Sequence, residues 1–376
     1  MSSGVVPAEG WTPPPYPYDR LAAVQAIAAG HDGGAVDLSV GTPVDPPPRL
    51  ALDALADGST ARGYPPSIGT DAFRTGAAGW MQRRLSVSVD PAAVAACVGT
   101  KELVAGVPQW LHLRTPSRDT VLYPAVSYPT YAMGATLAGC RAVPVAVDHR
   151  FRIDLSTVDP GDAARALCLW VNTPGNPAGG LDDLGAAAAW GRAHRVPVLS
   201  DECYVEFTWA GPPRTILEHG LDGVVAVHSL SKRSNLAGAR VGFYAGDPEL
   251  VAFLAETRKH AGFMVAGPVQ AAAVAAWGDD AHVEAQRDRY RRRLTRMAEI
   301  LGRWGLDAAL PDGSFYLWVP APDGDEWALT ERLAVEGGIV ASPGEFYGEA
   351  GAGFVRLAMV QPDAALELAA SRLGVS

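Results

Sequence analysis

Residues 224–246 read VVAVHSLSKRSNLAGARVGFYAG. Two apolar runs, 224–227 and 241–244, flank a stretch holding one lysine, two arginines and several small hydroxyl residues. Neither run alternates with polar residues, which is how a strand reads when both of its faces are buried. Charge is costly to remove from water, so Lys232, Arg233 and Arg240 between two such strands need an anionic partner or a solvated exit.

The same kind of run recurs upstream, at 94–98, 120–123, 142–147, 167–171 and 196–200, with helix-like stretches such as 181–195 between them. Unalternated strands separated by helices predict an α/β domain around a mainly parallel sheet. Before it lie a proline-rich arm to about residue 18, a short helix over 21–29, and the extended, proline-broken segment VDLSVGTPVDPPP. After it a long helix is expected over 281–304. Its basic stripe RDRYRRRLTR is read as a solvated face. Strands at 315–319, 339–341 and 354–359 with helices at 326–336 and 363–373 complete a smaller α+β unit. The expected division is an arm and closing segment over 1–45, a large domain over 46–280 and a small one over 281–376.

A length of 376 residues suits a large domain plus a smaller one. The formal net charge of −10 argues against a general nucleic-acid binder, which must neutralise phosphates, but permits a small anion held by a few local cations. No apolar run is long enough to span a membrane. The N-terminus lacks the basic-then-apolar order of a signal peptide, so a cytoplasmic location is expected. The four cysteines, Cys97, Cys140, Cys168 and Cys203, have no metal-ligand spacing and are read as small buried hydrophobes in a reducing compartment. No metal site is expected.

In an open α/β sheet, ligands bind beyond the carboxyl ends of the strands. The residues just past each run are Gly99, Thr100, Lys101; then Tyr128 in SYPTY; then Asn172 in NTPGNP; then Asp201 and Tyr204 in DECY; then Ser229 and Lys232 in SLSK. Together with Arg240 and the late FVRL around Arg356, this order resembles the signature of the fold-type I, class I/II aminotransferases. The resemblance runs from about residue 18 to the C-terminus. It implies a seven-stranded, mainly parallel sheet and pyridoxal 5′-phosphate (PLP) as cofactor.

The resemblance implies a role for each matched residue, and each implied role, as follows, has a chemical reason. Lys232 supplies the amine that joins the cofactor aldehyde and later moves protons as base and acid. Asp201 keeps the ring nitrogen protonated, so that the ring can accept electrons. Tyr204 and Asn172 hydrogen-bond the ring hydroxyl, and Tyr128 stacks on the ring. Arg240, Ser229 and the backbone N–H groups of Thr100 and Lys101 cradle the phosphate, the anion that the opening segment calls for. Arg233 has no part in that cradle and is free to be solvated. Arg356 forks onto the substrate α-carboxylate. The resemblance further implies that Gly41 lies in the segment closing over the substrate. It also implies that Tyr64 reaches the phosphate of a neighbouring subunit, that residues 262–270 border the partner's site, and hence that the enzyme is a homodimer with shared active sites.

The phrasing of VDLSVGTPVDPP, GTKELVA, YPAVSYPTY and HSLSKRSNLAG is similar to the N-succinyldiaminopimelate aminotransferases of lysine biosynthesis. The resemblance implies glutamate as amino donor. Lys101, Arg62 and Arg233 are the candidates for a distal carboxylate. Residues 172–179, NTPGNPAG, depart from the family's NSPSNPTG, and GFMVAGPVQ and PDGSFYLW also differ. These changes leave room for a PLP enzyme of specialised metabolism doing elimination, replacement or carbon–carbon bond formation. Two other readings lose support. Ser229-Leu-Ser-Lys232 also fits the acylating S-x-x-K motif, but its S-D-N and K-T-G companions do not occur. A sensor on the same scaffold would lack the lysine or carry a basic extra domain.

Overall fold

A computed structural model of the chain describes residues 10–375. In chain order its strands are β1 (Val36–Asp37), β2 (Val94–Cys97), β3 (Thr120–Pro124), β4 (Arg141–Val145), β5 (Ala166–Asn172), β6 (Val198–Asp201), β7 (Val224–Ser229), β8 (Gly242–Gly246), β9 (Tyr316–Pro320), β10 (Ile339–Val340), β11 (Ser342–Pro343) and β12 (Phe354–Ala358). Seven of them form one sheet in the order β2-β8-β7-β6-β5-β3-β4. Only β8 runs against its neighbours. The mainly parallel sheet read from the apolar runs is therefore present.

Alternation within the strands builds two cores. Val224 and Ala226 of β7 face one apolar layer with Phe73, Trp80 and Phe243. Val225 and Val227 face the other, with Cys97, Trp110, Tyr131 and Tyr244. Both layers exclude water, so the polar ends of β5, β6 and β7 turn toward the one open rim.

The C-terminal unit is a three-stranded antiparallel sheet, β11-β12-β9, with helices Ala281–Arg303, Glu326–Gly337 and Asp363–Arg372. The N-terminal segment is stitched into it: β1 pairs in parallel with β10, and Val36 and Leu38 are buried with Leu294, Met297 and Leu317. The segment that leads to Gly41 is thus anchored at its start by the small unit.

The expected solvated stripe on the long helix is corrected at one position. Arg293 turns inward, its side chain 4% exposed, and forks onto Asp45 while its Nε donates to Asp363. The helical period rotates every third or fourth residue of such a run back toward the core. Arg291 and Arg292 remain exposed.

Candidate active site

Three strands end side by side on polar residues: β5 on Asn172, β6 on Asp201 and β7 on Ser229. Asn172 and Asp201 are register partners, and the Asn172 amide donates to the Asp201 carbonyl at 2.9 Å. Its oxygen accepts the backbone N–H of Asn176 at 2.8 Å, which fixes the turn that follows. These ends open into a cavity of about 450 Å³. Gly41, Thr100, Lys101, Tyr128, Tyr204, Lys232, Arg240 and Arg356 line it as well. Of the candidate cofactor and substrate ligands, only Tyr64, Arg62 and Arg233 lie outside it.

Lys232 sits on the single helical turn Leu230–Arg233, whose N-cap is Ser229; the Ser229 hydroxyl accepts from Ser231 N–H at 3.0 Å. Its Nζ donates to the carbonyl of Gly41. Desolvation, then the positive fields of Arg356 and Arg240, lower the ammonium pKa to about 8, which favours the nucleophilic form. Glycine at 41 is required by contact, because a Cβ there would run into the Tyr316 hydroxyl.

Asp201 is 7% exposed and burial raises its pKa, opposed by hydrogen bonds to Cys203 and Tyr131. Its Oδ2 accepts from the Tyr131 hydroxyl at 2.8 Å and its Oδ1 from Cys203 N–H at 3.2 Å. A buried carboxylate with spare lone pairs at the floor of a cavity suits a cationic ring nitrogen. The other end of the cavity suits a phosphate. Gly99, at φ +73°, carries no side-chain cap for the helix Thr100–Arg114, so the first N–H groups of that helix point out unclaimed. The Arg240 guanidinium lies over Gly99, where any Cβ would overlap it. The donor set therefore fits PLP: a carboxylate for the ring, an amine for the aldehyde, a helix start and an arginine for the phosphate.

Arg356 is 2% exposed and is held between the rings of Tyr316 and Tyr347, at 4.2 and 4.7 Å. Nη1 donates to Asn176 Oδ1 at 2.7 Å, Nη2 to the Tyr18 hydroxyl at 3.3 Å and to the Ser39 carbonyl, while Nε is buried without a partner. A cation with only neutral acceptors around it on the cavity wall suits an anionic substrate group.

Several residues in this site were not legible in the motifs. Tyr131 supports Asp201 from within SYPTY, three positions after Tyr128. Tyr316 shares a 2.8 Å hydrogen bond with the Tyr204 hydroxyl. Tyr16 and Tyr18 of the proline-rich arm line the cavity, and Tyr16 caps Lys101, whose Nζ is 5.0 Å from its ring. Cys203 corrects the reading of the cysteines as core filler: it lies on the cavity wall, with its thiol on Thr100 Oγ1 at 3.4 Å. Cys97 and Cys168 are buried in strands as expected.

Arg233 is corrected too. It is neither solvated nor a cavity cation; its side chain is 4% exposed and paired with Glu206. Tyr64 is 96% exposed in the single chain and Arg62 is exposed beside it. Among the described residues no cluster of His, Cys, Asp or Glu could hold a metal ion, and no helix is long and apolar enough to cross a membrane.

Comparison with known proteins gives this geometry a family. The chain is 44% identical to the 4-dedimethylamino-4-oxo-anhydrotetracycline transaminase OxyQ of Streptomyces rimosus, over 96% of this chain and 99% of that one. Among solved structures, an aminotransferase from Neisseria meningitidis superposes with a TM-score of 0.89 at 30% identity, covering 96% of this chain and 98% of that chain. A probable N-succinyldiaminopimelate aminotransferase from Thermus thermophilus gives 0.84 at 33%, covering 95% and 98%. The family model described as aminotransferase class I and II matches residues 34–373. By this match over nearly its whole length, the chain belongs to the class I and II aminotransferases, PLP-dependent transferases of fold type I.

Proposed function

We propose that the chain moves an amino group between glutamate and a 2-oxo acid or keto compound carrying a further anionic group, as an N-succinyldiaminopimelate:2-oxoglutarate aminotransferase does. The observation that carries this reading is the charge of the cavity. Lys101, Lys232, Arg240 and Arg356 line it against one carboxylate, Asp201. Arg240 takes the cofactor phosphate and Arg356 the substrate α-carboxylate. That leaves Lys101, which has the Tyr16 hydroxyl at 3.4 Å but no acidic partner among the described residues, to meet a third anion.

In this reading PLP, when bound, supplies the electron sink for cleavage at the substrate Cα. Lys232 holds the cofactor aldehyde and then carries the proton at Cα. Asp201, steadied by Tyr131, holds the ring nitrogen cationic, and Tyr204, Asn172 and Tyr128 fix the ring's orientation. Segment 40–42, with Tyr16 and Tyr18, excludes water from the reacting face. Tyr64, 96% exposed in one chain, serves the phosphate of a second copy, so the working unit is a homodimer.

The resemblance to OxyQ, a transaminase of an oxo-anhydrotetracycline, favours a second reading in which the acceptor is a cyclic ketone of specialised metabolism. One experiment separates them. Purified protein with PLP is incubated with N-succinyl-diaminopimelate and 2-oxoglutarate, and separately with glutamate and a polycyclic ketone, and both products are quantified by mass spectrometry. Glutamate formation in the first arm supports the primary reading. Turnover in the second alone replaces it, and no amino transfer in either arm, alongside product in a third arm holding an amino acid with a leaving group on its side chain, would replace both with elimination chemistry.

A further inference from the structure

Behind the catalytic turn, the next residue points the other way. Successive residues on a helix are rotated by about 100°, so Lys232 enters the cavity while Arg233 enters the core. There its Nε meets Glu206 Oε1 at 3.3 Å and its Nη1 donates to the Ala276 carbonyl at 3.1 Å. Glu206, 3% exposed at its side chain, also accepts Trp80 Nε1 at 2.8 Å and both Nε and Nη2 of Arg84 at 3.1 and 2.9 Å. Trp80 packs under the Arg233 guanidinium at 5.5 Å. Ser234, closing the same turn, hydrogen-bonds His282 at 2.9 Å.

The placement of Glu206 gives this cluster its meaning. It lies in the turn Val205–Phe207, directly after Tyr204 and five residues after Asp201. One carboxylate therefore ties the segment bearing Asp201 and Tyr204 to the turn bearing Lys232. That turn has only four residues. A helix so short has no stability of its own and takes its position from tertiary contacts. Buried ion pairs are weak contributors to stability, since apolar residues of similar volume often replace them without loss. A buried charge pair whose arginine is the residue next to Lys232 is better accounted for by geometry than by stability.

We propose that Arg233 and Glu206 are positioning residues, a clamp that fixes the rotation and depth of the Lys232 turn relative to Asp201 and Tyr204. The proposal rests on Lys232 being the residue that holds the cofactor, and the test keeps the two apart. Misplacing a reacting group by about 1 Å costs on the order of a hundredfold in rate.

Three variants are compared: Arg233→Lys, which keeps the charge but cannot span Glu206 and the Ala276 carbonyl together; the apolar pair Glu206→Leu with Arg233→Met; and Lys232→Ala. Each is followed by melting temperature, by the rate at which cofactor-free protein takes up PLP into its coloured form, and by kcat and KM. The clamp predicts that Arg233→Lys melts near wild type and that the apolar pair, which also strands Trp80 Nε1 and Arg84, melts lower while staying folded, and that both take up PLP and turn over roughly ten- to a hundredfold more slowly, with KM nearly unchanged. Wild-type uptake and kcat in Arg233→Lys would overturn it, as would full recovery of both in the apolar pair. If the pair does not fold, Arg233→Lys alone decides. A Lys232→Ala protein that still colours and turns over would instead overturn the reading of Lys232.

Discussion

Replacing Tyr131 by phenylalanine removes one oxygen and leaves the ring, its stacking on Trp170 at 5.2 Å and its contact with Tyr128 in place. What is lost is the 2.8 Å hydrogen bond to Asp201 Oδ2. Asp201 is only 7% exposed, and a hydrogen bond to a charged acceptor contributes ~1.5–3 kcal/mol. The Tyr131 bond is among those that hold the Asp201 pKa down against burial, so the variant pushes that carboxyl further up. A protonated Asp201 no longer favours the cationic ring. The lost stabilisation corresponds to roughly a ten- to hundredfold weaker hold on the cofactor. The assay is equilibrium dialysis of PLP against wild type and Tyr131→Phe between pH 6 and 8. The deficit should widen as the pH falls, because the carboxylate is lost first in the variant. Affinity within twofold of wild type across that range would refute the assignment of Tyr131 as the support of Asp201.

Other outcomes follow from the same geometry. In cofactor-free protein, the rate of PLP uptake should rise through about pH 8, where Lys232 loses its proton, rather than through the range of an exposed lysine; a profile flat from 7 to 9 would contradict the lowered pKa. Gly99→Ala places a Cβ on the Arg240 guanidinium at φ +73° and should weaken PLP binding about tenfold or more while leaving pyridoxal, which has no phosphate, nearly unaffected. Glu202 is fully buried beside His228, with its pKa raised to about 8 by desolvation, and the His228 pKa is lowered to about 3. Between pH 6.5 and 8 the folded His228 imidazole is neutral, the unfolded one loses its remaining proton in wild type and Glu202→Gln alike, and folded Glu202 keeps a proton that the unfolded chain has released. Wild type should therefore lose on the order of 2 kcal/mol relative to Glu202→Gln as the pH rises across that window. Melting curves of the two proteins that stay parallel would rule this out.

Local pattern was enough to specify the sheet and the line of residues at its rim. Unalternated apolar runs at 167–171, 196–200 and 224–227 read as strands covered on both faces, and β5, β6 and β7 occupy them. Ligand groups in such a sheet must follow the strand ends, so Asn172, Asp201, Ser229 and Lys232 were legible before any contact was known. Gly41 and Gly99 were legible as motif positions, but why they must be glycine was not: Tyr316 and Arg240 approach them from far along the chain.

The partners that lie far apart in sequence emerged only from the folded chain. Tyr131 reaches across 70 residues to Asp201, Tyr204 across 112 to Tyr316, and Arg356 across 338 to Tyr18. Arg233 and Arg293 read as solvated cations because a one-dimensional pattern records that a residue is charged, not whether a carboxylate from another element waits behind it. Burial of a charge depends on the sum of its long-range neighbours, and those neighbours exist only once the chain has closed on itself.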